Sequence, residues 1–299
     1  MKPLLISLAP EEPMTQSLGE KLSADEGKMT LRRFPDGESY VRIESDCKNR
    51  DVVVVGTLFK PDDKIIPLIF ISETLKEFGA KSIGLVSPYL AYMRQDKRFH
   101  EGEGISSRYF SRLVSNYFDW LVTVDPHLHR YHSLNEIYSI PTQVVHAASV
   151  VSEWIHKNVK NPLLIGPDSE SEQWVADVAK RAGAPHIVLT KIRHGDRDVE
   201  VSIPEVENWK NHTPVLVDDI ISTGRTMIET IRHLKNADML PPVCVGVHGV
   251  FADNPYEKLL ELGVKKIVTC NTIPHLSNSI DISTALAKSV EQLWEMYES

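Results

Sequence analysis

Cysteine is scarce in this chain. Only Cys47, Cys244 and Cys270 occur among 299 residues, far apart and without a C-x-x-C pair. Their spacing excludes a zinc ribbon, a dithiol redox site or a disulfide scaffold as the organising device, and suits a reducing compartment. Long apolar runs are missing as well. The stretch from Leu4 to Ala9 is short for the core of an export signal and far too short to cross a bilayer, so the expectation is a cytoplasmic protein with no membrane partner. Positive charge is in deficit: Lys plus Arg total 33 against 41 Asp plus Glu, a net charge of −8, which argues against nucleic acid as a partner. The usual nucleotide fingerprints are also absent. Gly27-Lys28 is followed by Met29 and is no P-loop, and Gly102-x-Gly104 lacks the third glycine of a dinucleotide turn.

What is present is an ordinary globular composition, 42% hydrophobic and 25% charged, which excludes disordered and fibrous classes. At about 150 residues per domain the length predicts two domains. Short apolar runs read as strands: Asp51 to Thr57, Lys81 to Pro88, Trp120 to Asp125, Pro162 to Asp168, His186 to Ile192 and Thr213 to Asp219. Stretches with apolar spacings of three and four read as helices between them: Ile65 to Phe78, Ser106 to Phe118, Ala147 to Asn158 and Ser171 to Ala182. Strand alternating with helix means α/β, and the unbroken Val52 to Val55 suits a parallel strand buried on both faces. A boundary near residue 146 divides the chain into 1–146 and 147–299, two similar halves that suggest an internal duplication.

In open α/β sheets ligands bind where strands end and helices begin. Val217-Asp218-Asp219-Ile220-Ile221-Ser222-Thr223-Gly224-Arg225-Thr226 sits at such a junction. Two carboxylates leaving a strand can accept hydrogen bonds from a vicinal diol, while Ser222 to Thr226 can wrap N–H groups and hydroxyls round a phosphate, with Gly224 allowing close approach. Either half alone would read as an acidic turn or a Ser/Thr cap; together they read as a sugar-phosphate site. Arg94, Gln95, Lys97 and Arg98 make a cationic cluster suited to polyphosphate. Phe34, Asp36 and Glu38 combine an aromatic face with two acceptors, suited to a purine with its exocyclic amine, on what is equally a hairpin at Asp36-Gly37. Three histidines, His127, His129 and His132, invite a zinc reading, although further ligands would have to come from elsewhere.

The segment from Val217 to Thr226 resembles the phosphoribosyl pyrophosphate motif shared by phosphoribosyltransferases and ribose-phosphate pyrophosphokinases. Phe34-Pro35-Asp36-Gly37-Glu38, Pro88-Tyr89-x-Ala91-Tyr92-x-Arg94-Gln95-Asp96-Lys97, Val124-Asp125-x-His127 and Gly166-Pro167-Asp168 stand in the order found in the pyrophosphokinases. The run from Arg94 to Ile105 is more similar to the class III than the class I enzymes. That resemblance implies two phosphoribosyltransferase-like domains, each a mostly parallel sheet flanked by helices. It implies ATP binding through Phe34, Asp36, Glu38, Arg94, Gln95, Asp96 and Lys97, and ribose 5-phosphate binding through Asp218, Asp219, Ser222, Thr223, Gly224, Arg225 and Thr226. It further implies Mg²⁺ held by His127 with Asp168, and a catalytic loop carrying Lys191 and Arg193. The implied reaction moves the β,γ-diphosphoryl group of Mg-ATP to ribose 5-phosphate in a homo-oligomer, at least a dimer, with a site shared between subunits. Ile192, Ser222 and Arg130 depart from the class I pattern. Two rivals remain: a phosphoribosyltransferase, and a catalytically silent subunit that regulates a true synthetase.

Overall fold

Four consecutive valines cannot alternate an inner and an outer face, so the strand they form has to be covered on both sides. Asp51–Val55 is that strand, and Val52 to Val55 are all buried. The structure, a computed structural model, describes residues 2–166, 171–193, 199–202 and 206–298. The chain divides into two units, Met1–Val145 with Ile282–Ser299, and His146–Asp281.

The first unit runs β1 (Leu4–Ser7), α1 (Pro13–Lys21), β2 (Asp25–Glu26), β3 (Met29–Arg33), β4 (Ser39–Ile43), β5 (Asp51–Val55), α2 (Asp62–Glu77), β6 (Ser82–Ser87), α3 (Ser106–Tyr117), β7 (Trp120–Val124) and β8 (Thr142–Val145). The second runs α4 (Ala148–Asn158), β9 (Pro162–Gly166), α5 (Glu172–Ala182), β10 (His186–Val188), β11 (Thr190–Arg193), β12 (Val199–Ser202), β13 (Thr213–Ile221), α6 (Arg225–Asn236), β14 (Val243–Gly249), α7 (Pro255–Glu261), β15 (Lys266–Cys270) and β16 (Asn278–Ile280), and α8 (Ser283–Glu298) follows. One sheet has the order β2-β1-β5-β6-β7-β8, the other β10-β9-β13-β14-β15-β16, and every neighbouring pair in both is parallel. In each unit the second sheet strand lies on one side of the first and the third on the other. An antiparallel pair, β3 with β4 or β11 with β12, falls between the second and third sheet strands in chain order. Strand order and insertion point therefore coincide, as the suggested duplication requires.

Three expectations need correcting. Residues 282–299, assigned to the second half by sequence, group with the first unit. The physical reason is the apolar stripe of α8: Leu286, Val290 and Leu293 are buried, Trp294 meets Trp120 edge-on at 6.3 Å, and Ser283 at the helix start bonds Ser17 of α1 at 2.8 Å. The run from His186 to Ile192 is two strands, because Val188 ends the pairing with β9 and Thr190 begins an antiparallel pairing with β12. Finally, the strand expected to end at Asp219 continues two residues further, to Ile221, so Asp218 and Asp219 are not its last residues. Among the described residues no helix is long and apolar enough to cross a membrane.

One glycine sets the packing of the first sheet. Gly84 of β6 pairs with Trp120 of β7, and the indole lies over it so closely that a Cβ there would fall 1.9 Å from Trp120 Cε2. Gly84→Ala is expected to cost about 3 kcal/mol by overpacking, a fall in melting temperature of roughly 10 °C by calorimetry. An unchanged melting temperature would show that the indole has another place to go.

Candidate ligand site at the strand ends

In the second sheet the chain order reverses between β9 and β13, and this switch point is where such sheets bind ligands. Asp218 and Asp219, both half-buried, stand near the carboxyl end of β13. Ser222 and Thr223 follow, and Gly224 adopts φ 65 before α6 starts at Arg225. That left-handed residue turns the chain so that the first amides of a 12-residue helix open toward the strand end. Thr230 Oγ1 donates to the Thr226 carbonyl at 2.8 Å and braces the first turn. The predicted diol and phosphate residues, Asp218, Asp219, Ser222, Thr223, Gly224, Arg225 and Thr226, are thus contiguous in space as well as in sequence. Carboxylate and hydroxyl oxygens are the donors a hard cation such as Mg²⁺ takes.

The basic cluster of the first unit follows β6. Arg94, Lys97 and Arg98 are exposed while Met93 and Asp96 are buried, so the cations face solvent, where an anion can reach them. Asp96, predicted to touch ATP, is 7% exposed, and its two oxygens accept from Arg130 Nη1 at 2.7 and 3.0 Å. This pair gives Arg130 a role that its sequence did not suggest: it holds the turn that presents the outward cations. Gln95 Oε1 accepts from Ser106 Oγ at 2.5 Å, at the start of α3. Glu103 closes the turn by accepting the Phe99 and His100 amides at 2.7 and 3.1 Å, and these bonds hold its carboxyl below the usual range. Tyr92 belongs to the motif from Pro88 to Lys97, but the sequence gives it no role. It sits at φ 62 and donates to Asp62, and burial, followed by that bond and charge, pushes its phenol up to about 12. The two residues are 30 apart in the chain, so no local pattern could have joined them.

Phe34, Asp36 and Glu38 lie at the tip of the β3–β4 hairpin, whose turn is closed by Phe34 N–H to Glu38 O at 2.8 Å with Gly37 at φ 95. Asp36 Oδ1 accepts the Glu38 amide at 3.1 Å. The Phe34 ring is 38% exposed, with the Arg32 guanidinium 4.5 Å from its centroid and Tyr40 edge-on at 5.8 Å. Arg33 ties the hairpin to α2 through Asp63 at 2.9 Å.

At the carboxyl end of β7, Asp125 (φ 30) and His127 (φ 55) form a tight turn in which the His127 amide donates to Asp125 O at 2.9 Å. The His127 and His129 rings stand edge-to-face at 4.0 Å. His132 belongs to a different feature: its amide and that of Ser133 donate to Glu136 Oε1, part of a capping box. The backbones of Lys191 and Arg193 pair with Val201 and Val199. Asp168 lies outside the described residues, as do 194–198.

These features agree with what the chain is similar to. Residues 4–117 match the profile described as the N-terminal domain of ribose phosphate pyrophosphokinase, and residues 133–283 match the phosphoribosyl transferase domain. The ribose-phosphate pyrophosphokinase of Sulfurisphaera tokodaii is 34% identical over 283 residues, covering 92% of this chain and 96% of that one. The enzyme of the same name from Methanopyrus kandleri is 32% identical over 296 residues, covering 97% and 99%. The crystal structure of phosphoribosylpyrophosphate synthetase from Mycobacterium smegmatis superposes with a TM-score of 0.86 at 23% identity, over 99% of this chain and 100% of that one, and so shares the fold. With two similar parallel sheets, a strand-to-helix loop at the switch point of the second and relatives matched over nearly their whole length, the chain belongs to the ribose-phosphate pyrophosphokinase family.

Proposed function

We propose that this chain transfers the β,γ-diphosphoryl group of Mg-ATP to the 1-hydroxyl of ribose 5-phosphate, giving phosphoribosyl pyrophosphate and AMP. The ribose O1–Pβ bond forms as the bond from Pβ to the oxygen of the α-phosphate breaks, AMP leaves with that oxygen, and the hydroxyl proton passes to solvent. The observation that carries the reading is the junction of β13 and α6. Half-buried carboxylates beside a helix N-terminus opened by Gly224 suit a ribose diol and its 5-phosphate together. Asp218 and Asp219 accept from the 2- and 3-hydroxyls, and Ser222 to Thr226 hold the phosphate.

Phosphoryl transfer asks little covalent help of the protein, so positioning and charge carry the catalysis. Arg94, Lys97, Lys191 and Arg193 supply positive charge to the polyphosphate. Mg²⁺ would be held by His127 with Asp168, and would supply positive charge to offset that of the polyphosphate. Phe34, Asp36 and Glu38 receive the adenine, and we assign the protein to the cytoplasm.

Incubating the purified protein with ribose 5-phosphate, ATP and magnesium and following AMP and diphosphorylated ribose tests the reading. AMP without the ribose product, or a product formed only when a nucleobase is supplied, would rule it out.

The adenine hairpin serves a neighbouring subunit's site in this reading. A Phe34→Ala, Asp36→Ala double variant and an Asp218→Ala, Asp219→Ala double variant are each expected to be nearly inactive. Co-refolded, they regain part of the wild-type rate, because some mixed dimers hold one site built from two intact contributions. If mixed oligomers form and activity stays at the level of the separate variants, each hairpin serves its own chain.

A further inference from the structure

The turn from β14 into α7 is built against the conformational preference of its residues. Phe251, Asp253 and Asn254 adopt φ 45, 65 and 57. Asp and Asn tolerate the left-handed region, but a bulky phenylalanine there is an outlier that persists only when its surroundings over-determine it.

The surroundings do so. The Phe251 ring packs at 4.4 Å on His275 and at 5.4 Å on Tyr256, and those two rings meet at 4.9 Å, which closes a triangle of three rings. Gly249 makes room for it: a Cβ there would fall 2.7 Å from Phe251 Cε2. His275 is fixed in turn, because its Nδ1 accepts the Ser277 amide at 3.2 Å and lies 2.8 Å from Ser277 Oγ, which is 2.7 Å from Thr269 Oγ1 in β15. Burial lowers the pKa of His275, which favours the neutral ring that this acceptor role requires.

The same turn grips the phosphate loop at two places. The Phe251 amide donates to the carbonyl of Ile221, the last residue of β13, at 2.9 Å. Pro255, at the first position of α7, lies where a Cβ on Gly224 would come within 2.9 Å of it. The entry to the loop and its left-handed residue are therefore both set by the segment from 251 to 255.

We propose that Phe251, seated between Tyr256 and His275, is a positioning residue that holds the loop from Ser222 to Thr226 in the shape that receives the 5-phosphate of ribose 5-phosphate. The proposal rests on the reading of that loop given above and concerns residues outside it. The role assigned to the three rings needs no contact with substrate: they hold a strained turn whose amide and proline fix the loop.

The test compares Phe251→Leu, Phe251→Tyr and His275→Ala with the wild type. One measurement is steady-state kinetics with each substrate varied. The other is calorimetric titration of ribose 5-phosphate into protein saturated with magnesium and a non-hydrolysable ATP analogue. Phe251→Leu raises the KM and the Kd for ribose 5-phosphate about 10-fold while the KM for ATP stays within about twofold. Phe251→Tyr keeps the ring and restores near-wild-type values. His275→Ala, at a half-exposed site, repeats the ribose-selective loss and decides the matter should Phe251→Leu fail to fold. Folded variants that bind ribose 5-phosphate as the wild type does, or that lose both substrates equally, overturn the proposal alone. A wild type that neither binds ribose 5-phosphate nor forms AMP overturns the functional reading, and the proposal with it.

Discussion

Gly224→Ala is expected to weaken ribose 5-phosphate binding by 10- to 100-fold, on the order of 1–3 kcal/mol, while nucleotide binding stays near normal. Two independent strains converge at this position. A non-glycine residue at φ 65 costs roughly 1–2 kcal/mol, and the added Cβ would stand 2.9 Å from Pro255 Cβ, closer than real Cβ atoms approach. The free protein relaxes by shifting the loop, and binding then has to restore the strained shape, so the strain energy appears as lost affinity. Calorimetry with ribose 5-phosphate, in the presence of a non-hydrolysable ATP analogue, measures it. A variant that keeps full affinity but melts lower would mean that the loop is held rigidly and that Gly224 matters to stability alone.

Lys191→Ala is expected to lower turnover about 100-fold or more with little change in the affinity for ribose 5-phosphate, because in the proposed reaction a catalytic-loop cation acts mainly on charge that grows in the transition state. Its motivation is the Lys191-x-Arg193 match to the family's catalytic loop, carried by a strand whose backbone pairs with β12. Ile192 stands where class I enzymes often carry an arginine, so one positive charge of that pattern is absent. Lys191→Arg should retain part of the rate. An unchanged turnover number for Lys191→Ala at saturating substrates would remove this residue from the mechanism.

The elements read most clearly from sequence are those whose neighbours are interchangeable. The run from Val52 to Val55 is a buried parallel strand whichever strands flank it, and Ser106 to Phe118 shows helical spacing that α3 follows to within a residue. The strands β1, β14 and β15 and the helices α7 and α8 lie outside the elements named from sequence, and of α6 only the start is named. The fate of α8 shows why: its stripe of Leu286, Val290 and Leu293 announces a buried face, but a stripe does not say which sheet it covers. The break at Leu189 was hidden for a related reason, since β10 and β11 are one apolar run until their partners are known.

The ligand loops follow the same division. By itself the sequence determined the two sheets, the strand-to-helix junction proposed to receive a phosphate and the family, because these depend on residue types at short spacings: two carboxylates, hydroxyls and a glycine within nine residues from Asp218 to Thr226. Only the tertiary structure decided what holds those loops in place. Asp96 turns inward to Arg130, 34 residues away, Tyr92 reaches Asp62, and Phe251 in a strained turn meets His275. Each of these pairings joins groups that follow different strands, in loops or, for Asp62, at a helix start, and their distance in the chain carries no information until the parallel sheets bring those strand ends to the same edge.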